Sequence, residues 1–217
     1  MKNDIDLQRD VQEELRWEPI LRPAEIGVVV KDGVVTLTGH VDSYAAKLAA
    51  ERAAKSVAGV QVVAEEIEVR LPGSSLRTDE DIARASLNAL RWHVLVPDPN
   101  LKMTVENGWV TLEGRVEWEY QRRSAEQAVR YLMGVKGVIN KITVTPKAAA
   151  SEVKGKISAA LKRSAEIDAQ RITVETKNGK VLLKGSVRSW FEREEAEKAA
   201  WAAPGVSEVD DRITVQP

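Results

Sequence analysis

Apolar residues along this chain switch between two periods, and the switch recurs three times. Four-residue spacing marks a helix at the start of each copy: Leu7, Val11 and Leu15; then Ala83, Leu87 and Leu90 with Ile82 beside them; then Val153, Ile157 and Leu161. Such a stripe buries one helix face against something flat. Period two follows in Ile26, Val28 and Val30, in Leu101, Met103 and Val105, and in Ile172 and Val174, as expected of strands with one buried face. Asp32-Gly33, Asn107-Gly108 and Asn178-Gly179 come next. These pairs tolerate the positive φ of a type I′ turn and predict two-residue hairpins. The returning strand points Val35, Leu37 and Val41 inward, with Val110, Leu112 and Val116, and Val181, Leu183 and Val187, as counterparts. Its other face, with Thr36, Thr38 and His40 in the first copy, is largely polar.

Gly39, Gly114 and Gly185 follow the hairpin glycines, and Gly59, Gly134 and Gly205 come later at equal spacing, so offsets of 75 and then 71 superpose all three copies. That repeat governs the whole reading. A glycine inside a strand leaves room for close backbone approach, here expected from the second helix crossing over it. This second helix is rich in alanine: Ala46, Ala49, Ala50 and Ala53; Ala125 and Ala128 with Val129; Ala196, Ala199, Ala200 and Ala203. It should stop at the later glycines, which suit the left-handed conformation that ends helices. A last strand then closes each copy at Ile67 and Val69, Ile142 and Val144, and Ile213 and Val215. The prediction is an α+β fold of three tandem αββαβ units, each a mixed three-stranded sheet with both helices on one face. Expected domains are 1–71, 76–146 and 148–217, joined by the short linkers 71–75 and 146–151, which restrict relative placement.

Composition narrows the function classes. Residues 1–75 carry 9 basic and 13 acidic side chains, residues 76–147 carry 11 and 9, and residues 148–217 carry 12 and 11. No copy offers the concentrated basic surface that a nucleic-acid binder needs, so no nucleic-acid partner is expected. Cysteine is absent, which excludes disulfides, thiol nucleophiles and thiolate metal sites. No apolar run approaches the roughly 18 residues of a spanning helix. Acids among Met1–Leu7 replace the basic start and apolar stretch of a secretory signal, so the expected location is cytoplasmic, with the periplasm as the alternative if an export signal has been removed ahead of Met1.

Candidate chemistry is sparse. His40 and His93 fall at different places in the repeat, and neither metal binding nor acid-base work follows without convergent partners. No catalytic residue, metal site or cofactor is expected. Glu65, Asn140 and Asp211 share one repeat position before the last strand, where a short polar side chain bonds nearby backbone. The chain holds six tryptophans but one phenylalanine. Trp17 and Trp92, equivalent at the ends of the first helices, read as core-edge residues. Trp109 after a hairpin glycine, Trp118 with Tyr120, and Trp190 with Phe191 lie at one end of their units, where such rings pack a neighbouring copy or sit at a lipid or protein interface. Arg122, Arg123 and Arg193 stand beside them and suit anionic headgroups, while interspersed acids weaken that attraction. Glu119–Arg123 and Glu126–Arg130 are spaced as i,i+4 pairs.

Gly39-His40-Val41, an alanine-rich helix, Gly59-Val60 and a closing apolar strand together resemble the BON-domain family of bacterial osmotically inducible and nodulation proteins. Gly114-Arg115-Val116 with Gly134-Val135, and Gly185-Ser186-Val187 with Gly205-Val206, repeat the pattern. The resemblance implies a non-catalytic, often duplicated module associated with osmotic stress, envelope maintenance and phospholipid affinity. The expected role is stress-associated recognition of anionic lipid or of an envelope-associated protein. The alternatives are a cytoplasmic sensor of a potassium-like cation and a protein scaffold or homo-oligomer.

Overall fold

The computed structural model describes residues 2–96, 101–146, 153–164 and 169–216. Repeat one runs α1 (Asp4–Trp17), a 3₁₀ turn at Pro23–Glu25, β1 (Ile26–Lys31), β2 (Val34–Val41), α2 (Tyr44–Ser56) and β3 (Val62–Val69). Repeat two runs α3 (Asp79–Trp92), β4 (Leu101–Glu106), β5 (Trp109–Val116), α4 (Glu119–Arg130) and β6 (Gly137–Val144). Repeat three runs α5 (Val153–Arg163), a 3₁₀ turn at Ala169–Arg171, β7 (Ile172–Lys177), β8 (Lys180–Val187), α6 (Trp190–Trp201) and β9 (Glu208–Val215). Each repeat is thus an αββαβ unit whose sheet holds its three strands in sequence order. Repeats one and three gather into one compact unit, and repeat two with residues 41–47 into another. The second linker beyond Pro146 lies outside the described residues.

The hairpins form as their dipeptides dictate. Lys31 pairs with Val34, and both loop residues between them have positive φ, 51° at Asp32 and 75° at Gly33. Asn107, Gly108, Asn178 and Gly179 repeat that geometry, which matches the twist of antiparallel strands. The last strand pairs parallel to the second, β5 with β6 and β8 with β9. In repeat one the Gln61 amide donates to the Gly33 carbonyl at 3.0 Å and the Arg70 amide to the Val41 carbonyl at 2.8 Å, which sets the same direction.

A carboxylate ties the first helix to the hairpin in two repeats. Asp4 accepts from the Asp32 and Gly33 amides at 2.9 and 3.3 Å. Asp79 accepts from the Asn107 and Gly108 amides at 2.7 and 2.9 Å. Neighbouring turn amides form a concavity that favours an anion. The aligned position in repeat three is Ala150, outside the described residues.

The strand glycines serve a different neighbour from the one expected. Gly39 pairs with Ile26 at φ +111°, and a Cβ there would land on the carbonyl oxygen of Glu25. Gly185, at φ +134°, would meet the Arg171 carbonyl in the same way. The close approach is therefore made by the 3₁₀ turn that enters the hairpin, not by the second helix.

Each core sits between one sheet face and the two helices. In repeat two α3 packs on β4 and α4, and α4 packs on β5 and β6. Val110, Leu112, Ala125 and Val129 are fully enclosed there. Burying each such aliphatic side chain contributes about 1.5–3 kcal/mol. The α3 stripe differs from the expected one. Ile82, Ser86 and Leu90 are its buried residues, while Leu87 is 42% exposed. Ser86 aligns with Val11 and Ile157 of the other repeats, and its hydroxyl has no partner among the described residues. An unsatisfied buried hydroxyl costs about 1–3 kcal/mol. Ser86→Ala should therefore raise the denaturation midpoint of the unit holding repeat two, by about 1 kcal/mol in a urea titration. A loss of stability would mean that the hydroxyl is bonded after all.

Candidate functional site

The residues expected to form an interface divide between exposed rings, with Trp109 44%, Tyr120 50% and Phe191 54% exposed, and side chains with partners inside the chain. Trp109 lies beside its β6 partner Gly137, where a Cβ would strike the ring. A large ring can cover a glycine on the neighbouring strand in this way. Trp118, half-buried before α4, stacks with Tyr120 at a centroid distance of 6.4 Å and an interplanar angle of 26°. The Gln121 side-chain oxygen accepts from the Glu117 and Trp118 amides at 3.0 Å each and so closes the start of α4.

Arg122 and Arg123 converge on Glu119, at 2.7 and 3.2 Å. Glu119 is only 5% exposed. Burial pushes its carboxyl above the ordinary carboxylate value, against the pull of both guanidinium groups. The expected Glu119–Arg123 pair is present. The expected Glu126–Arg130 pair gives way to other contacts, since Glu126 accepts from Asn140 at 3.1 Å and Arg130 lies 4.8 Å over the Tyr131 ring.

In repeat three Arg193 donates to Asp211 at 2.7 Å and lies 4.9 Å over the Trp190 ring. Lys55 of repeat one reaches the same ring, also at 4.9 Å, so Trp190 packs against a neighbouring copy. Two cations on one half-buried ring form a cation–π contact of about 0.5–1 kcal/mol each. Phe191 is 54% exposed and stands apart from these contacts.

The shared polar position lies inside the last strand rather than before it. Asn140 donates to the Arg122 carbonyl at 3.1 Å while its oxygen accepts from the Ile142 amide at 3.2 Å. Asp211 accepts from the Ile213 amide at 2.9 Å and from Arg193. Each therefore satisfies an amide two residues along its own edge strand, as short polar side chains do, and ties that strand to the second helix. His40 lies 3.8 Å from Glu25, and His93 accepts from the Leu95 amide at 3.4 Å. Among the described residues no three His, Asp or Glu side chains gather as a metal site would need.

Two tryptophans read as core-edge residues are instead among the most exposed side chains. Trp17 is 82% and Trp92 89% exposed, joined by Ile20, Val94 and Leu95 in the turns that follow. The helix stripe explains the error. Each tryptophan falls two residues after the last buried leucine, Leu15 or Leu90, which places it about 200° around the helix from the core. The two tips differ in charge. Residues 82–96 hold Arg84, Arg91 and no acid, whereas residues 7–21 hold Asp10, Glu13, Glu14 and Glu18 against Arg9 and Arg16.

A model of the BON domain matches three times, over residues 3–70, 78–146 and 149–217. The chain belongs to the BON-domain family. The BON chain is 30% identical over 129 residues to the osmotically-inducible protein Y of Escherichia coli K12, a match covering 55% of this chain and 62% of that relative's length. Among solved structures it aligns with CdsD, a structural protein of the type III secretion system of Chlamydia trachomatis. The identity is 16%, over 98% of this chain and 93% of that one, at a TM-score of 0.28. The PrgH periplasmic domain aligns at 14% identity over 89% of this chain and 96% of that one, at a TM-score of 0.23. Neither likeness bears on function at those scores. Among the described residues of the BON chain no helix is long and apolar enough to cross a membrane.

The raised carboxyl of Glu119 sets a pH dependence. Its native form keeps a proton to higher pH than the unfolded chain, so this group's contribution falls as pH rises from the ordinary carboxylate range through the raised value. Between about pH 4 and pH 7, thermal melts should show the natural chain losing more stability than Glu119→Gln. Equal slopes would mean that Arg122 and Arg123 fully offset burial.

Proposed function

We propose that this BON chain is a non-catalytic, osmotic-stress and envelope-associated binding protein. Its three units, within 1–71, 76–146 and 148–217, serve as docking modules, and the second of them engages anionic phospholipid from one side of the membrane. The observation that carries this reading is the apolar tip of repeat two, which has no acid between Ile82 and Val96 and has Asp98 in the segment that follows: Trp92, Val94 and Leu95 stand exposed beside Arg91, which has no ion-pair partner among the described residues. Tryptophan and aliphatic side chains settle at the headgroup level, and each nearby arginine adds about 1 kcal/mol of attraction to an anionic surface. Family membership and the name of the E. coli relative support the stress association. Arg122, Arg123 and Arg193, paired with carboxylates, have less to offer a headgroup than Arg91.

The tip of repeat one supports a second reading for that module. Trp17 and Ile20 are exposed among four acids, and an anionic bilayer repels such a tip. A protein partner or a second copy with a basic rim fits it better.

Co-sedimentation with phosphatidylglycerol and phosphatidylcholine vesicles tests the lipid reading. Binding should favour phosphatidylglycerol, weaken with salt and fall about tenfold in Trp92→Ala, the loss expected for one large buried side chain. Trp118→Ala should bind as the natural chain does. Binding unchanged in Trp92→Ala but lost in Trp118→Ala would move the contact to α4.

A further inference from the structure

The hairpin turn of repeat three keeps the shape of its sisters without their carboxylate. In repeats one and two the two turn amides share one aspartate, and each amide takes a different oxygen. Oδ2 of Asp4 accepts from Asp32 and Oδ1 from Gly33, and Asp79 meets Asn107 and Gly108 in the same order. The spacing of the two amides is thus matched to the two oxygens of a single carboxyl group. Asn178 and Gly179 hold the same backbone, with φ of 50° and 80° against 52° and 83° at Asn107 and Gly108, but the residue aligned with Asp4 and Asp79 is Ala150. Neither amide of the third turn has an acceptor among the described residues. Neighbouring turn amides in this state form a concavity for an anion. Asn178 is exposed. Gly179 is buried as Gly108 is, each with a carbonyl, of Gly205 or Gly134, against the side where a Cβ would stand, and the Gly108 amide still reaches Asp79.

Charge changes in step with that loss. Lys177 and Lys180 flank the third turn, where repeat one has Lys31 and Val34 and repeat two has Glu106 and Trp109. Lys180 pairs with Glu208 at 2.5 Å, whereas Lys177 is exposed with no ion-pair partner among the described residues. Asp4 and Asp6 stand in the first turn of α1, and Asp79, Glu80 and Asp81 in that of α3. The first turn of α5, which packs on β7, instead carries exposed Lys154 and Lys156. Glu152 is the one acid between Thr145 and Ala165. It aligns with Asp6 and Asp81, which bond to Asn3 and Thr78 ahead of their helices rather than to the turn.

We infer that the hairpin turn of repeat three takes a carboxylate from an acidic segment of a partner protein, its two oxygens accepting from the Asn178 and Gly179 amides beside Lys177. The sister repeats show the form of the occupant: an aspartate delivered by a chain segment. The remaining contacts of such a segment offset an ordering cost that a free carboxylate would bear alone. Lysines around the turn complement an acidic partner. The site is independent of the lipid reading for repeat two.

The test is an amide chemical-shift titration of the full chain with a short acetylated, amidated poly-aspartate peptide, its asparagine counterpart and inorganic phosphate, at matched ionic strength. Asn178 and Gly179 should shift saturably with the aspartate peptide, in the millimolar range or below. The filled turns at Asp32–Gly33 and Asn107–Gly108 should stay still. Lys177→Gln should weaken binding several-fold, by less as salt rises. Ala150→Asp should supply the missing carboxylate from within, abolish the response and raise the melting temperature by about 2–4 °C. Trp92→Ala should leave the titration unchanged, so failure here and failure of the lipid reading are separable. Absent shifts, equal shifts with the asparagine peptide, tighter binding of phosphate, or a response of all three turns together would overturn the inference. So would a response undiminished in folded Lys177→Gln and Ala150→Asp chains.

Discussion

One backbone contact constrains repeats one and three: the strand glycine set against the carbonyl of the turn that enters the hairpin. At Gly39 and Gly185 there is no space for a Cβ, and the backbone there is in a conformation that L side chains rarely adopt. Gly114 shares the positive φ and pairs with Leu101 as Gly39 pairs with Ile26. That contact and the type I′ turn fix both ends of the hairpin, and in a period-two strand the register decides which side chains face inward. Val35 and Leu37, with their counterparts in the other copies, are buried as a result. The alanine-rich helix can then lie close on the sheet, and the crossover brings the last strand parallel to the second.

The cores that result are small, so what a repeat leaves outside matters as much as what it encloses. The carboxylates decide this for the arginines. Glu119 holds Arg122 and Arg123, and Asp211 holds Arg193, each pair fastening a second helix or joining it to the last strand. Side chains with a partner inside the fold have less to offer outside it. An arginine and apolar side chains not so occupied lie at the end of α3, where Trp92, Val94 and Leu95 are exposed beside Arg91.

Much of the fold was legible because it rests on local rules: turn dipeptides, glycines at fixed offsets and two hydrophobic periods. The partner of the strand glycines was not, since a glycine announces close approach without naming the neighbour. Leu87 was read into the core because leucine outranks serine as an apolar residue, although superposing the repeats puts Ser86 opposite Val11 and Ile157. The same superposition, carried two residues past Leu15 and Leu90, places Trp17 and Trp92 outside. Tryptophan's bulk argued for burial, and helix geometry argued against it. Geometry prevailed. The commitments of Arg122 and Arg193 had only a faint signal, in the acids spaced around them and in the shared position of Asn140 and Asp211.

The central claim is that membrane contact is made by the end of α3 and the turn after it, not by the aromatic starts of α4 and α6. Hydrogen exchange of the full chain with and without phosphatidylglycerol vesicles addresses it most directly. The account predicts slowed exchange over residues 87–96 and no change over 118–123 or 190–193. Protection at the starts of α4 and α6, with residues 87–96 exchanging as in solution, would contradict it.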